Sequence, residues 1–373
     1  MISEDNLMKE LISLDWDFSD SKTESLHSIH PYPAKFIPEI PRCLIQNLPI
    51  PSNTIILDPF CGSGVTLVES QRAGIESIGI DLNPIATLLS TVKTQELSPQ
   101  FLEIALKVFS KCATYKKGVI IPPIPNLDHW FKKSVQEGIT ILLTEINKIK
   151  DERIANALRF CVSSIIVRVS NQESDTRYAA VENHLERNDV FSLFKLSAEK
   201  LWNAKMHNQL EVPSRIINKD SLQLTKADIG KKVGLVITSP PYPNAYEYWL
   251  YHKYRMWWLG FDPLEVKESE IGARAHYFKK NHQTADDFII QMEKLLRSLA
   301  SLCAKGAFVC FVIGQSKIHG EIIENEKIIA NAALKGGLTH IATIKRMIRS
   351  GRKSFNLSHA RIKEEFIVIL QKQ

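Results

Sequence analysis

NTIILDPFCGSGVTLVESQRAGIESIGIDLNP, residues 53–84, is the stretch that decides the fold. Ile55, Ile56 and Leu57 are consecutive apolar residues ended by Asp58-Pro59, the pattern of a strand buried on both faces. CGSGVTLVESQRAG reads next as a glycine turn opening a helix, and IESIGIDLNP as a second strand ending at Asp81. Strand, helix and strand with short connections form a βαβ unit, which predicts a parallel sheet.

Strand patterns return far downstream, at SRIINKD (214–220), KVGLVITS (232–239), GAFVCFVIG (306–314), LTHIATIK (338–345) and EEFIVIL (364–370). The region between follows a helical period: Leu142, Ile146 and Ile149 share one face, as do Ile154, Leu158, Cys161 and Ile165. The prolines of IPPIPNLDHWF (121–131) divide it. The expected organisation is an α/β sheet domain with a helical insertion. Residues 1–94 form an arm and the first half of the sheet, 95–212 the insertion, and 213–373 the second half.

The bulk numbers bound the function without naming it. The chain has 373 residues, 44% hydrophobic and 24% charged, ordinary values for a globular protein with a sizeable core. A net charge of +6 permits a polyanionic partner without demanding one. Six cysteines are scattered without CxxC or CxxH spacing, so buried free thiols are expected, and no metal is implied. The N-terminus is acidic and lacks a secretory pattern, and no apolar run reaches transmembrane length. A soluble, cytoplasmic protein is the expectation.

LDPFCGSG (57–64) places an acid at a strand end and two glycines, Gly62 and Gly64, in the turn. Glycine allows close backbone approach to a ligand, and the helix that follows offers free N–H groups. No GKS or GKT follows, and GxGxxG is missing, which argues against both phosphate fingerprints. Asp81 stands where an acid accepts ribose hydroxyls in nucleotide-binding folds. The same residues also fit a plain tight turn with Asp58 as a helix cap.

TSPPY (238–242) ends a strand in the second half of the sheet, so its loop could meet the glycine turn in one crevice. An exocyclic base amine is a poor nucleophile, because its lone pair is delocalised into the ring. Two acceptors for its hydrogens would free that lone pair: Ser239 Oγ and the Pro240 carbonyl, held in direction by Pro241. Tyr242 offers a face on which an extruded base could stack. Leu250, Tyr254, Trp257 and Trp258, at helical spacing, read as core. The border between platform and core falls near Tyr246–Trp249.

Together LDPFCGSG and TSPPY resemble the signature pair of S-adenosylmethionine-dependent amino-methyltransferases acting on DNA. The Ser-first TSPPY looks like the form typical of N4-cytosine enzymes, with N6-adenine as the alternative and RNA guanosine-N2 a more distant one. HPYPAKF (30–36) resembles the family's additional cofactor motif, and Asp220 in INKD matches its acid after the third strand. Val65 departs from the usual Thr after the second glycine, although Thr66 follows.

The resemblance implies a Rossmann-like sheet of seven strands, mostly parallel with the last antiparallel. It also implies a flipped-out target base and direct methyl transfer from S-adenosyl-L-methionine. Catalysis would rest on Ser239, Pro240, Pro241 and Tyr242. The cofactor would be held by His30, Tyr32, Lys35, Asp58, Pro59, Phe60, Cys61, Gly62, Gly64, Asp81, Asn83 and Asp220. Double-stranded DNA is the implied partner, in a restriction-modification or defence setting with its cognate proteins. The insertion is the candidate target reader, with Arg177 and Tyr178 as contacts. A basic hairpin carrying Lys345, Arg346, Arg349, Arg352, Lys353 and Arg361 would suit contacts to the DNA backbone, and YFKKNH (277–282) is a second candidate.

Overall fold

The computed structural model describes residues 4–18, 24–208, 212–243, 246–278, 283–348 and 364–373. Strand β1 (Ile55–Asp58) leads through helix α2 (Val65–Arg72) to β2 (Ser77–Asp81), with α1 (Glu39–Asn47) preceding them. Helix α3 (Pro84–Thr94) starts at Asn83, whose side chain accepts from Ile85 N, with Pro84 in the first turn. Both are standard helix-start signals. Next come α4 (Phe101–Ala113), α5 (Lys133–Ile146), α6 (Glu152–Val169) and α7 (Arg187–Met206). The short antiparallel strands Gln172–Ser174 and Arg177–Ala180 sit between α6 and α7. They occupy a polar stretch where helical periodicity had stopped.

The second half supplies β3 (Ser214–Asn218), β4 (Val233–Thr238), α8 (Tyr248–Trp258), α9 (Ala285–Leu302), β5 (Cys303–Gly314), α10 (Asn325–Gly336), β6 (Thr339–Met347) and β7 (Glu364–Gln371). All seven strands form one sheet, ordered β6-β7-β5-β4-β1-β2-β3. Five run parallel through the pairs β2–β3, β1–β2, β1–β4 and β4–β5, and β7 lies antiparallel between β5 and β6. This is the seven-stranded, mostly parallel sheet with an antiparallel final strand that the resemblance implies.

The continuous apolar runs have their cause in this sheet. Alternate residues of each central strand enter opposite cores. Ile55, Leu57, Val309 and Phe311 pack with α9 and α10. Ile56, Leu235, Phe308 and Cys310 pack with α1 and with Leu11 and Trp16 of the arm. A third core unites Ile85 and Leu89 of α3 with α4–α7 and with Tyr254, Met256 and Trp258 of α8. The insertion thus shares its interior with both halves of the sheet domain.

Strand order reverses between β1 and β4, since the chain builds β2 and β3 on one side of β1 and places β4 on the other. Ligands of open α/β sheets bind outside the strand ends at such a point. Both loops singled out in the sequence leave the sheet there.

Candidate active site

The ends of β1 and β4 are tied side by side. Thr238 Oγ1 donates to Asp58 Oδ1 at 2.7 Å, and Phe60 N donates to the same oxygen at 3.1 Å. Thr66 Oγ1, at the start of α2, donates to Ile237 O at 3.3 Å. These bonds place the glycine turn next to the loop after Thr238. One cavity of about 770 Å³, counting the solvent at its mouth, opens between them.

Its walls bring most of the expected residues together. Phe60, Cys61, Gly62, Asp81 and Asn83 come from the first half, Asp220, Ser239 and Pro241 from the second, and Tyr32 and Lys35 from the arm. Gly62 has φ +48°, and a side chain there would start 3.2 Å from the Tyr32 ring. The arm therefore lies directly on the turn. It is anchored from behind by buried Glu69 of α2, which meets His27 Nε2 at 2.9 Å, Arg42 Nε at 2.8 Å and Arg72 Nη1 at 2.7 Å. The Tyr32 ring is stacked on His252 at 4.9 Å and on Tyr248 at 6.1 Å, so the arm and α8 form one aromatic wall.

The acids of the cavity are held for a ligand that donates hydrogen bonds. Asp81 accepts from Gly62 N at 2.9 Å and Asn83 N at 2.8 Å, and burial raises its carboxyl to about 6. Asp220 accepts from Leu222 N at 2.9 Å and from Gln223 Nε2 at 3.0 Å. Lys35 donates to the His27 carbonyl, and burial lowers its ammonium to about 8. Two buried polar atoms in the lining, Ser63 Oγ and Asn83 Nδ2, have no partner among the described residues. Carboxylates for a ribose diol, unspent donors and an apolar wall including Phe60, Val266 and Ile271 fit the nucleoside and amino-acid ends of S-adenosylmethionine.

Several expected residues stand behind the cavity and not in it. His30 is fully buried, with Nδ1 on the Pro31 carbonyl at 2.7 Å and Nε2 on Ser163 Oγ at 3.0 Å. Asp58 joins the strands as described, and burial raises it to about 6. The Pro59 carbonyl accepts from Ser221 Oγ. Gly64, at φ +79°, lies against Ser90 and not the cavity. Cys61 lines the wall, but burial pushes its thiol well up, which suits packing and not nucleophilic attack.

In the TSPPY loop, Ser239 and Pro241 face the cavity, while Pro240 is buried. Tyr242 is half-buried beside it, edge-on to Tyr246 with ring centres 6.4 Å apart, and a side chain at Gly272 would start 2.8 Å from its carbonyl oxygen. The aromatic border resolves within α8: Tyr248 lines the cavity, whereas Tyr254 and Trp258 are core.

Two features escape the sequence reading. Glu270 lines the cavity and caps α8 from outside it, accepting from Tyr248 N at 2.9 Å and Trp249 N at 2.7 Å. Burial raises its carboxyl to about 8. No local pattern marks a cap supplied from so far along the chain. The second is Arg255, buried at the foot of α8. It donates to Ser163 O at 3.0 Å and Tyr251 O at 3.3 Å, and pairs with Asp175 in the hairpin.

The expected DNA contacts are placed as follows. Arg177 is exposed and paired with Glu173 at 2.9 Å. Tyr178 turns inward: its hydroxyl donates to the Leu250 carbonyl, and its ring packs edge-on to Trp130. Lys253 Nζ lies over one face of the Tyr178 ring, 4.4 Å from its centre. Lys345 pairs with Glu364 at 2.8 Å, and buried Arg346 with Glu365 and the Trp16 carbonyl. Both serve the β6–β7 edge. Arg349, Arg352, Lys353, Arg361 and residues 279–282 lie outside the described residues.

Residues 5–89 match the family described as DNA methylase. The chain is 27% identical over 266 residues to the type II methyltransferase M.MvaI of Kocuria varians, covering 61% of this chain and 56% of that protein. It is 23% identical over 286 residues to the type II methyltransferase M.BsoBI of Geobacillus stearothermophilus, covering 67% and 56%. The chain thus spans about half the length of the curated relatives it matches. Among solved structures, the rRNA methyltransferase aviRa of Streptomyces viridochromogenes is 14% identical with a TM-score of 0.36, covering 94% of this chain and 90% of that one. By its motifs and matched segments, this chain is related to the S-adenosylmethionine-dependent DNA amino-methyltransferases.

Proposed function

We propose that the chain methylates DNA at the exocyclic N4 of cytosine, with S-adenosylmethionine as donor. The observation that carries this reading is the convergence of the glycine turn with Ser239 and Pro241 on one cavity at the β1/β4 switch point. When bound, S-adenosylmethionine supplies an electrophilic methyl group. Asp81 and Asp220 would hold its ribose and adenine, and Lys35 its carboxylate. Ser239 Oγ and the Pro240 carbonyl accept the two amine hydrogens, which draws the nitrogen toward sp³ geometry and frees its lone pair. Tyr248, on the wall with Tyr32, joins Tyr242 as a stacking surface for the extruded base. The Ser-first motif favours cytosine over adenine as the target.

Expression in a methylation-free host, followed by sequencing for N4-methylcytosine and N6-methyladenine, tests the reading. N4-methylcytosine is expected, and Ser239→Ala is expected to lower transfer by about 100-fold with cofactor binding intact. N6-methyladenine alone would move the target to adenine. Neither mark, from protein that binds the cofactor, would remove DNA as the substrate.

A further inference from the structure

Ser90 and Lys93 lie three residues apart on α3 and face the glycine turn from behind. Ser90 Oγ donates to Gly62 O at 2.9 Å, and Lys93 Nζ donates to Ser63 O at 2.9 Å. Lys93 is fully buried, a costly place for an amine unless it holds something in place. Lys205 Nζ donates in turn to the Lys93 carbonyl at 2.8 Å.

A trans peptide points its C=O and N–H in opposite directions, and no cis bond occurs among the described residues. Pulling the Gly62 and Ser63 carbonyls toward α3 therefore sends the N–H groups of Ser63 and Gly64 the other way. Gly64 N spends its hydrogen within the turn, on Cys61 O at 2.7 Å. Ser63 N–H is left turned to the cavity side, beside the Ser63 hydroxyl that has no partner among the described residues. Gly62 N, at positive φ, is likewise spent, on Asp81 at 2.9 Å, so of the turn's N–H groups it is Ser63's that these bonds leave for an incoming anion. Lys35, in the same lining, adds positive charge.

We propose that Ser90 and Lys93 are positioning residues that shape the glycine turn into a cradle for the carboxylate of the cofactor's amino-acid end. This rests on the reading of the cavity as the S-adenosylmethionine site. Neither residue touches the ligand, because neither lines the cavity. They act by fixing which way two peptide units face.

The test compares two probes by calorimetric titration: S-adenosylhomocysteine, which carries the amino-acid end, and 5′-methylthioadenosine, which lacks it. Lys93→Met is expected to weaken S-adenosylhomocysteine about tenfold and to leave methylthioadenosine within about twofold, because only the cradle is disturbed. Ser90→Ala, a smaller change to the core, is expected to act in the same direction by about threefold and decides the matter if Lys93→Met does not fold. Equal weakening of both probes, or of neither, overturns the proposal and reduces these residues to helix packing. If the parent protein binds neither probe, the cofactor reading falls, and the cradle with it.

Discussion

Asp81 does two jobs with one carboxylate. It accepts two backbone N–H groups that fix the turn and its own loop, and it still faces the cavity. Burial raises its carboxyl to about 6, while ribose hydroxyls donate only to the ionised form's advantage. A raised folded-state value means the carboxylate is lost as pH falls through 6, so cofactor affinity should rise with pH across that point. We expect about a tenfold tightening between pH 5 and 7, read by titration calorimetry. Asp81→Asn should bind more weakly and show no such step; an unchanged step would assign it to another group. Asp81 and Ser239 were legible because they fall where apolar strand runs end, and Gly62 because it lies in a glycine-rich turn just after one. Glu270, Ser90 and Lys93 were not, since what they bind is set by the fold and not by neighbours in the chain.

At the scale of elements, α8 links the chemistry to the insertion. Its first turn presents Tyr248 to the cavity under the Glu270 cap, and its last turns bury Tyr254, Met256 and Trp258 in the shared core. Arg255 fastens it to α6 through Ser163 and to the hairpin through Asp175. His30 meets the same Ser163, so the arm is joined to this junction too. Removing one partner of a buried charged network strands the others, and Arg255→Met should cost about 3 kcal/mol in urea denaturation. A cost below about 1 kcal/mol would show that packing alone holds α8. The strands were readable from their runs of Ile, Val and Leu. The hairpin was not, because its polar residues carry no period and its pairing depends on docking against α8.

For the whole molecule, the third core has a measurable consequence. Helices α4–α7 bury their apolar faces against α3 and α8, which belong to opposite halves of the sheet domain. Insertion and sheet should therefore unfold together, in a single calorimetric transition whose van't Hoff and calorimetric enthalpies agree. At a hundredfold excess over its dissociation constant, S-adenosylmethionine should stabilise that whole transition by about 2.7 kcal/mol. Two transitions, only one of them shifted by the cofactor, would make the insertion an independent unit.

The sequence alone determined the parallel sheet, the glycine turn, the TSPPY loop and the acids at strand ends, because these follow from local rules. Apolar runs make buried strands, glycine permits positive φ, and proline ends a ladder. Only the tertiary structure decided which residues share a wall. It set Tyr32 of the arm on Gly62 and turned Tyr248 to the cavity while sending Tyr254 to the core. It also drew Tyr178 inward and placed Ser90 and Lys93 behind the turn. Those choices depend on how elements distant in sequence pack, and on where each buried donor finds its acceptor.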